Sequence, residues 1–445
     1  MPELDLIGDS ISLIERYITP VSDLFDEQQK LEFQLLVEKE IARANYHIGK
    51  IPADAWQDIE SKCNSDYIKL DRVNEIEKQT SHDLMAVVLA ITEQCSIGGK
   101  FIHLGATSMD VQDTVLGLQL TKSKYFLLQS LIGVLKELAR LTETHRNIIS
   151  IGRTHGQHAI PMTQGFKFAN FLSEFLISYQ QLLQAKVNYG KISGAIGTYA
   201  SYKTMKIEDE VLHNLGLEKA FITTQIVPRV LFMPFLSAIV SISASAERLA
   251  KEIRNLQRPE IGEWFEGFTS TQVGSSTMPH KRNPHKSERI CGLARVIRSL
   301  YVAQAENIAV EHERDLTNSA PERITFGDMI GLTDFILLDL KKILQNLQLD
   351  YKKIDENLHL MQGRQMAEAV MIALADKIGR QEAHEILNRI SNEPDFKQAI
   401  LSNKTLSQYL TDPEIEQLLE PSNYLGLIQE KIDSVLTNYK SIIKN

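Results

Sequence analysis

Residues 274–288 read Gly-Ser-Ser-Thr-Met-Pro-His-Lys-Arg-Asn-Pro-His-Lys-Ser-Glu. A leading glycine and two prolines, Pro279 and Pro284, predict a non-helical loop that can move. Ser275, Ser276, Thr277, Lys281, Arg282 and Asn283 crowd hydroxyls, two cations and an amide into nine positions. Such a set suits an anion-binding loop with a reactive serine, although a polar surface turn has the same composition. Residues 152–158 read Gly-Arg-Thr-His-Gly-Gln-His. Histidines at 155 and 158 suggest a metal pair, but no acidic or cysteine ligand stands beside them. Acid–base or hydrogen-bonding work fits better, because imidazole titrates near neutral pH, and a plain structural histidine fits equally.

Three further stretches carry similar potential. The adjacent hydroxyls of Thr107 and Ser108 could hold a carboxylate at a helix start, or Thr107, Ser108 and Asp110 could form an N-cap cluster with no ligand. His82 follows Thr80-Ser81 in the same manner. Arg314, Ser319 and Arg323 could converge on a phosphate, since arginine presents a planar fork of donors, or form an ion-paired helix end. Gly98-Gly99-Lys100 is not a P-loop, because the rest of that motif is absent.

These loops must be positioned by helices. Leu127, Leu131, Val134, Leu138 and Leu141 recur at spacings of four and three, as do Phe168, Leu172, Phe175, Tyr179 and Leu182. Ile239, Ile242, Ala246, Leu249, Ile253 and Leu256 form a third stripe, and Ile336, Leu340, Ile343 and Leu347 a fourth. Each keeps one apolar face on a helix, which predicts an all-α protein with a long central bundle and no large sheet. Shorter helices are expected at Asp26–Tyr46 and Val73–Glu93, and beyond residue 350, with breaks near Asn392-Glu393-Pro394 and Asp412-Pro413. Three domains follow: 1–107, 108–351 (the bundle) and 352–445. The glycine-rich clusters Gly98–Asp113, Gly152–Gly165, Gly190–Tyr199 and Gly267–Pro284 are expected as loops between the stripes, where a rigid scaffold usually carries chemistry.

The composition narrows the class. In 445 residues, 43% are apolar and 24% charged, which excludes a disordered or collagen-like chain. Lys plus Arg is 48 and Asp plus Glu 57, giving a net charge of −9. That acidic balance, with no basic stripe interleaved with aromatics, speaks against a nucleic-acid partner. Cys63, Cys95 and Cys291 are scattered and odd in number, as free thiols in a reducing compartment are. The start of the chain does not read as a secretory signal and no stretch approaches the length of a membrane span, so a cytoplasmic location and no membrane partner are expected.

The loop Gly274-Ser-Ser-Thr-Met-Pro-His-Lys-Arg-Asn-Pro is similar to the signature loop of the fumarase/aspartase superfamily. Within that superfamily the chain resembles the adenylosuccinate lyase family. The resemblance rests on Arg16-Tyr17, His82-Asp83, Thr107-Ser108-x-Asp110, Arg153-Thr-His-Gly, Ser193-Gly-Ala-Ile-Gly-Thr-Tyr-Ala, Thr224-Gln225 and His312-Glu-Arg-Asp. It implies β-elimination of fumarate from adenylosuccinate to give AMP, and from the succinylocarboxamide ribotide of purine synthesis, with no cofactor and no metal. It further implies that Ser275 is the general base, His155 the general acid and Glu288 the support of His155. By the same resemblance Lys281, Asn283, Thr107, Ser108 and Thr154 hold the succinyl carboxylates. Arg16, Tyr17, Arg314, Ser319 and Arg323 hold the phosphate, Gln225, Arg289 and Asp83 line the site, and His82 and His103 orient the substrate. A homotetramer is implied, its long helices forming a central bundle and each site drawing on three subunits.

Ser81, Val21 and Val230 depart from the family pattern. A carboxymuconate cycloisomerase-like enzyme shares the loop but has no use for the Arg314-Ser319-Arg323 set. A non-catalytic protein of the same fold predicts loss of Ser275 or His155, and both are present.

Overall fold

The computed structural model describes residues 15–267, 278 and 281–444. Among them are sixteen α-helices and three two-stranded β pairs. Helices α1 (Glu27–His47), α2 (Ala53–Lys62), α3 (Leu70–Thr80) and α4 (Asp83–Gln94) precede the long α5 (Ser108–Thr144). A hairpin of β1 (Ile149–Thr154) and β2 (Gln157–Thr163) leads into α6 (Gln164–Gln184), α7 (Lys206–Leu215), α8 (Met233–Leu256), α9 (His285–Glu306) and α10 (Ser319–Asn346). Six shorter helices follow: α11 (Tyr351–His359), α12 (Ala367–Ile378), α13 (Arg380–Ser391), α14 (Phe396–Leu401), α15 (Asp412–Leu419) and α16 (Ile428–Lys444). The all-α expectation holds.

The chain gathers into two compact units. One comprises Met1–Ser130, Ser178–Ala244 and Gly292–Leu337, the other Leu131–Ile177, Ser245–Cys291 and Leu338–Asn445. In the first, Phe232 meets Phe326 edge-on at 6.3 Å. In the second, Trp264 stacks on Phe168 at 4.6 Å and its indole N–H donates to Gln164. Also in the second unit, α12 to α15 enclose Val370, Leu374, Leu387, Phe396 and Ile415.

The apolar stripes are the buried faces. Leu127 through Leu141, Phe168 through Leu182 and Ile239 through Leu256 are buried at every stripe position. Ile336, Leu340 and Ile343 are buried too, whereas Leu347 lies past the end of α10 and is half-buried. Full burial of one such leucine contributes about 1.5–3 kcal/mol, so the stripes account for the helices better than propensity does.

Three expectations are revised. The helix expected over Val73–Glu93 is two helices. Ser81 takes a left-handed φ of 53° after α3, and the His82 ring accepts the Met85 N–H as the N-cap of α4. The stretch read as a glycine loop at 152–165 begins as the β1–β2 hairpin, with a bulge between Ile151 and Arg153 at Gly152. Finally, Arg229–Leu256 is long and apolar enough to cross a bilayer by length and composition, with a mean hydropathy of 1.6. Half of that window is buried within the chain, as in the core helix of a globular protein. The expected C-terminal breaks occur where anticipated. α13 stops at Ser391, and Thr411 starts α15 with a capping box to Glu414, Pro413 standing in the first turn.

Candidate active site

In the second unit, the exit of the Gly274 loop is anchored from behind. Ser287 donates its N–H and its hydroxyl to the buried Glu266, at 2.7 and 2.5 Å. Gln257 donates to the Arg282 carbonyl and accepts the Glu266 N–H. These bonds place Lys281, Asn283 and Glu288 along one cavity of about 1400 Å³, with Arg254, Arg258 and Lys251 on its other walls. Glu288 sits in the first turn of α9, where the helix dipole favours an anion. Arg289 turns to Asp339 instead (Nε to Oδ2, 3.0 Å) and does not line the cavity. Ser275 lies outside the described residues.

His155 is at the apex of the β1–β2 hairpin. Thr154 pairs with Gln157, so His155 and Gly156 form a two-residue turn, with φ of 53° and 74°. Both central residues at positive φ define a type I′ turn, which matches strand twist and calls for glycine at its second position. Thr154, His155 and Gln157 are exposed on this tip. Arg153, one residue earlier, is committed to structure: it forms a bidentate pair with fully buried Glu263, which also accepts from Asn357. Burial and the Arg153 charge hold His158 below the usual imidazole range. Among the described residues no group of three or more His, Cys, Asp or Glu could hold a metal.

The other expected residues lie in the first unit. Asp110, read from sequence as part of an N-cap cluster, is a buried hub. It accepts N–H groups from Thr107, Ser193 and Gly194 and pairs with Lys191, whose side chain is wholly buried. This fixes the N-terminus of α5 against the 191–199 loop. Gly197 in that loop is at φ 81°, and a Cβ there would meet the Thr223 carbonyl oxygen at 2.2 Å. The Thr107 and Ser108 hydroxyls have no protein partner among the described residues, which leaves them for a ligand.

Asp113, one turn further, is a second hub. It accepts from both terminal nitrogens of Arg229 at 2.9 Å and from Val227 N–H at 2.6 Å. Glu322 takes the remaining side of Arg229 at 2.7 and 2.9 Å and also accepts from Asn318. The network ties α5, the Gln225–Arg229 segment and the first turn of α10 together. Those segments carry Gln225, Ser319 and Arg323.

Arg314 stands beside this network but is treated differently. Its NH1 donates to the Gln225 side-chain oxygen at 3.0 Å and its NH2 to Ser319 Oγ at 2.7 Å, both neutral acceptors. Its Nε has no partner among the described residues. Burial pulls its pKa below the usual arginine value, outweighing the nearby Asp113 and Glu322. Arg323 is well exposed and donates to Asp83 at 2.6 Å, and Asp83 also accepts from Gln112. Arg16 is exposed, and Tyr17 packs edge-on against Phe335 at 5.1 Å. His82 is half-exposed at its cap position.

His103 brings in a residue that the sequence reading missed. Its Nδ1 lies 2.6 Å from Oε1 of Glu38, which is completely buried on α1. A signal was present. Glu38 falls in register with Leu31, Leu35, Ile41 and Asn45 on the buried face of α1, where a lone carboxylate requires a partner.

Comparison with known proteins agrees. The family described as Lyase matches residues 16–299, and the family described as Adenylosuccinate lyase C-terminus matches residues 363–435. The adenylosuccinate lyase of Pyrococcus horikoshii is 41% identical over 423 residues, 93% of this chain and 94% of that protein. That of Methanocaldococcus jannaschii is 39% identical over 439 residues, covering 96% and 95%. Among solved structures, a fumarate lyase from Mesorhizobium sp. BNC1 superposes with a TM-score of 0.87 at 27% identity, covering 96% of this chain and 99% of that one. The 3-carboxy-cis,cis-muconate lactonizing enzyme of Pseudomonas putida gives 0.86 at 26%, covering 96% and 98%.

Proposed function

The chain belongs to the adenylosuccinate lyase family of the fumarase/aspartase superfamily, and we propose that it cleaves adenylosuccinate to AMP and fumarate, and the succinylocarboxamide ribotide likewise. A base removes the proton from the succinyl carbon next to a carboxylate. The electron pair becomes the double bond of fumarate, the C–N bond breaks, and an acid protonates the departing nitrogen. Ser275 is the base, His155 the acid, and Glu288 supports His155. The developing negative charge lies on the carboxylate, where Lys281 and Asn283 supply a cation and an amide donor. Thr107, Ser108 and Thr154 complete the carboxylate contacts, while His82 and His103 orient the substrate. Serine is a poor base in water, so exclusion of water from Ser275 is part of the chemistry.

The observation that carries this reading is Arg314. A half-buried guanidinium held, among the described residues, by the neutral side chains of Gln225 and Ser319 is a cation awaiting an anion. Arg229, close by, is already neutralised by two carboxylates and has no such capacity. A cycloisomerase acting on a phosphate-free substrate would have no use for that charge. Gln225 and Ser319 set the Arg314 fork, Arg323 adds a second cation, and Arg16, Tyr17 and Asp83 belong to the surroundings of the same site.

An ultraviolet assay of AMP and fumarate release from adenylosuccinate tests the activity directly, and absence of turnover refutes it. In that assay Arg314→Ala raises KM by about ten-fold or more with a smaller effect on kcat, since a charge-assisted phosphate contact is worth roughly 1.5–3 kcal/mol. Arg323→Ala does less, because Asp83 already shares its charge. Equal KM values for wild type and both variants would place the phosphate elsewhere.

The proposal includes a cytoplasmic homotetramer whose sites are shared between subunits. Phe126 on α5, Ile177 on α6, and Val296 and Val302 on α9 are exposed on helices whose other faces are buried, and Phe221 and Ile222 are exposed just before Gln225. In the proposed assembly neighbouring subunits cover these side chains. In this assembly His155, exposed on its hairpin tip, serves a neighbouring subunit. The three cysteines are free and buried, as a reducing compartment allows. Sedimentation at micromolar concentration gives a tetramer, and a monodisperse monomer contradicts the assembly.

A further inference from the structure

We propose that Glu38 is a positioning residue that holds His103 as a cation, so that a buried Glu–His dyad presents a charged N–H to an anionic group of the substrate. The inference rests on the reading above, in which His103 contacts substrate. It concerns a residue and a charge state to which that reading assigned nothing.

The geometry is specific. Glu38 Oε1 lies 2.6 Å from Nδ1 of His103, the glutamate side chain is 0% exposed and the imidazole 14%. With Nδ1 taken, Nε2 is the ring nitrogen left for a ligand. The backbone of His103 is held at φ 61°, a left-handed conformation that an ordinary side chain adopts only when its surroundings enforce it. The second glutamate oxygen has no partner among the described residues, so the imidazole is its main compensation for burial.

The surrounding charges favour the cation. Asp110 on α5 acts on His103 in the same sense as Glu38, although Lys191 neutralises much of its charge. Tyr202 contributes a buried neutral hydroxyl whose pKa both carboxylates push up, and Cys63, also near Glu38, is held as a neutral thiol. Burial pulls the imidazole down, but the Glu38 bond and charge, together with Asp110, outweigh it and leave His103 above its ordinary value. The sign follows. The cation is present below the raised pKa and is lost as pH rises through it, and ligand affinity is lost with it.

The test compares Glu38→Gln, Glu38→Asp and His103→Ala in kcat, KM and the pH dependence of binding. Fumarate and AMP are bound separately by calorimetry, the first reporting a carboxylate contact and the second a phosphate contact. Glu38→Gln keeps a hydrogen-bonding side chain but removes the charge. It should raise KM by roughly ten-fold with a smaller change in kcat, as loss of a charge-assisted bond predicts. Binding of one of the two products should then fall away at lower pH than in the wild type, and Glu38→Asp should restore part of both. If His103→Ala weakens binding while Glu38→Gln matches the wild type in KM and pH profile, the dyad is wrong and the substrate role of His103 stands. If His103→Ala itself leaves KM and both products unaffected, the underlying reading of His103 fails, and the proposal with it. Should Glu38→Gln not fold, the wild-type profile decides. Loss of binding of one product, fumarate or AMP, only above the ordinary imidazole value of about 6.5 supports the dyad, and loss centred at or below it for both overturns the proposal.

Discussion

Replacing Ser275 or His155 by alanine should each lower kcat by about 10²–10⁴-fold, the usual contribution of a general acid or base. Substrate binding should survive, because in the proposed site Lys281, Asn283 and Arg314 hold the carboxylates and phosphate. The His155 variant needs a control, since this residue occupies a left-handed position in the hairpin turn. His155→Asn supplies it, because asparagine tolerates that conformation and cannot act as the acid. Both His155 variants should be equally slow. Recovery in the asparagine variant would mean that turn geometry, not proton transfer, is the role of His155. Ser276→Ala should cost less than Ser275→Ala. A Ser275→Ala enzyme that keeps more than about a tenth of wild-type kcat falls below the general-base range and removes Ser275 from that role.

The largest loss of stability is expected at Lys191. Lys191→Met strands the Asp110 carboxylate, wholly buried, with only the backbone N–H groups of Thr107, Ser193 and Gly194 as donors. Breaking one side of a buried ion pair costs about 3–5 kcal/mol, far more than an exposed pair is worth. Urea unfolding of wild type and variant at equal protein concentration measures it, since equal concentration holds the contribution of the proposed assembly fixed. A loss under about 1 kcal/mol would show that water or a rearranged side chain relieves the charge. The same variant should weaken substrate binding, because Asp110 fixes the helix start that presents Thr107 and Ser108.

Much of this was legible in one dimension. A period of three to four reports what is buried along a single helix, and the four stripes found in the sequence are the buried faces of α5, α6, α8 and α10. The Gly-Pro-punctuated loop, the histidine of Arg153-Thr-His-Gly and the Arg314-Ser319-Arg323 cluster were visible because each is a short run of unusual chemistry. Local turn chemistry was read less well. The left-handed Ser81 that separates α3 from α4 and the type I′ turn at His155-Gly156 depend on backbone angles that the residue types permit but do not compel.

Partnership across long separations was not legible at all. Asp110 read as part of a helix-start cluster and Asp113 as the end of a glycine-rich loop, yet each is consumed by a buried cation, Lys191 in one case and Arg229 in the other, 81 and 116 residues away. Arg229 and Arg314 look alike in sequence, but Asp113 and Glu322 neutralise the first, while among the described residues the neutral Gln225 and Ser319 hold the second. Glu38 marked itself as anomalous by sitting on an apolar stripe, and the identity of its partner, 65 residues on, emerged only from the packing of α1 against the His103 turn. The physical reason is common to all three. Burial makes a charge costly wherever its partner lies along the chain, so periodicity can show that a group must be compensated, while only the folded arrangement determines by what.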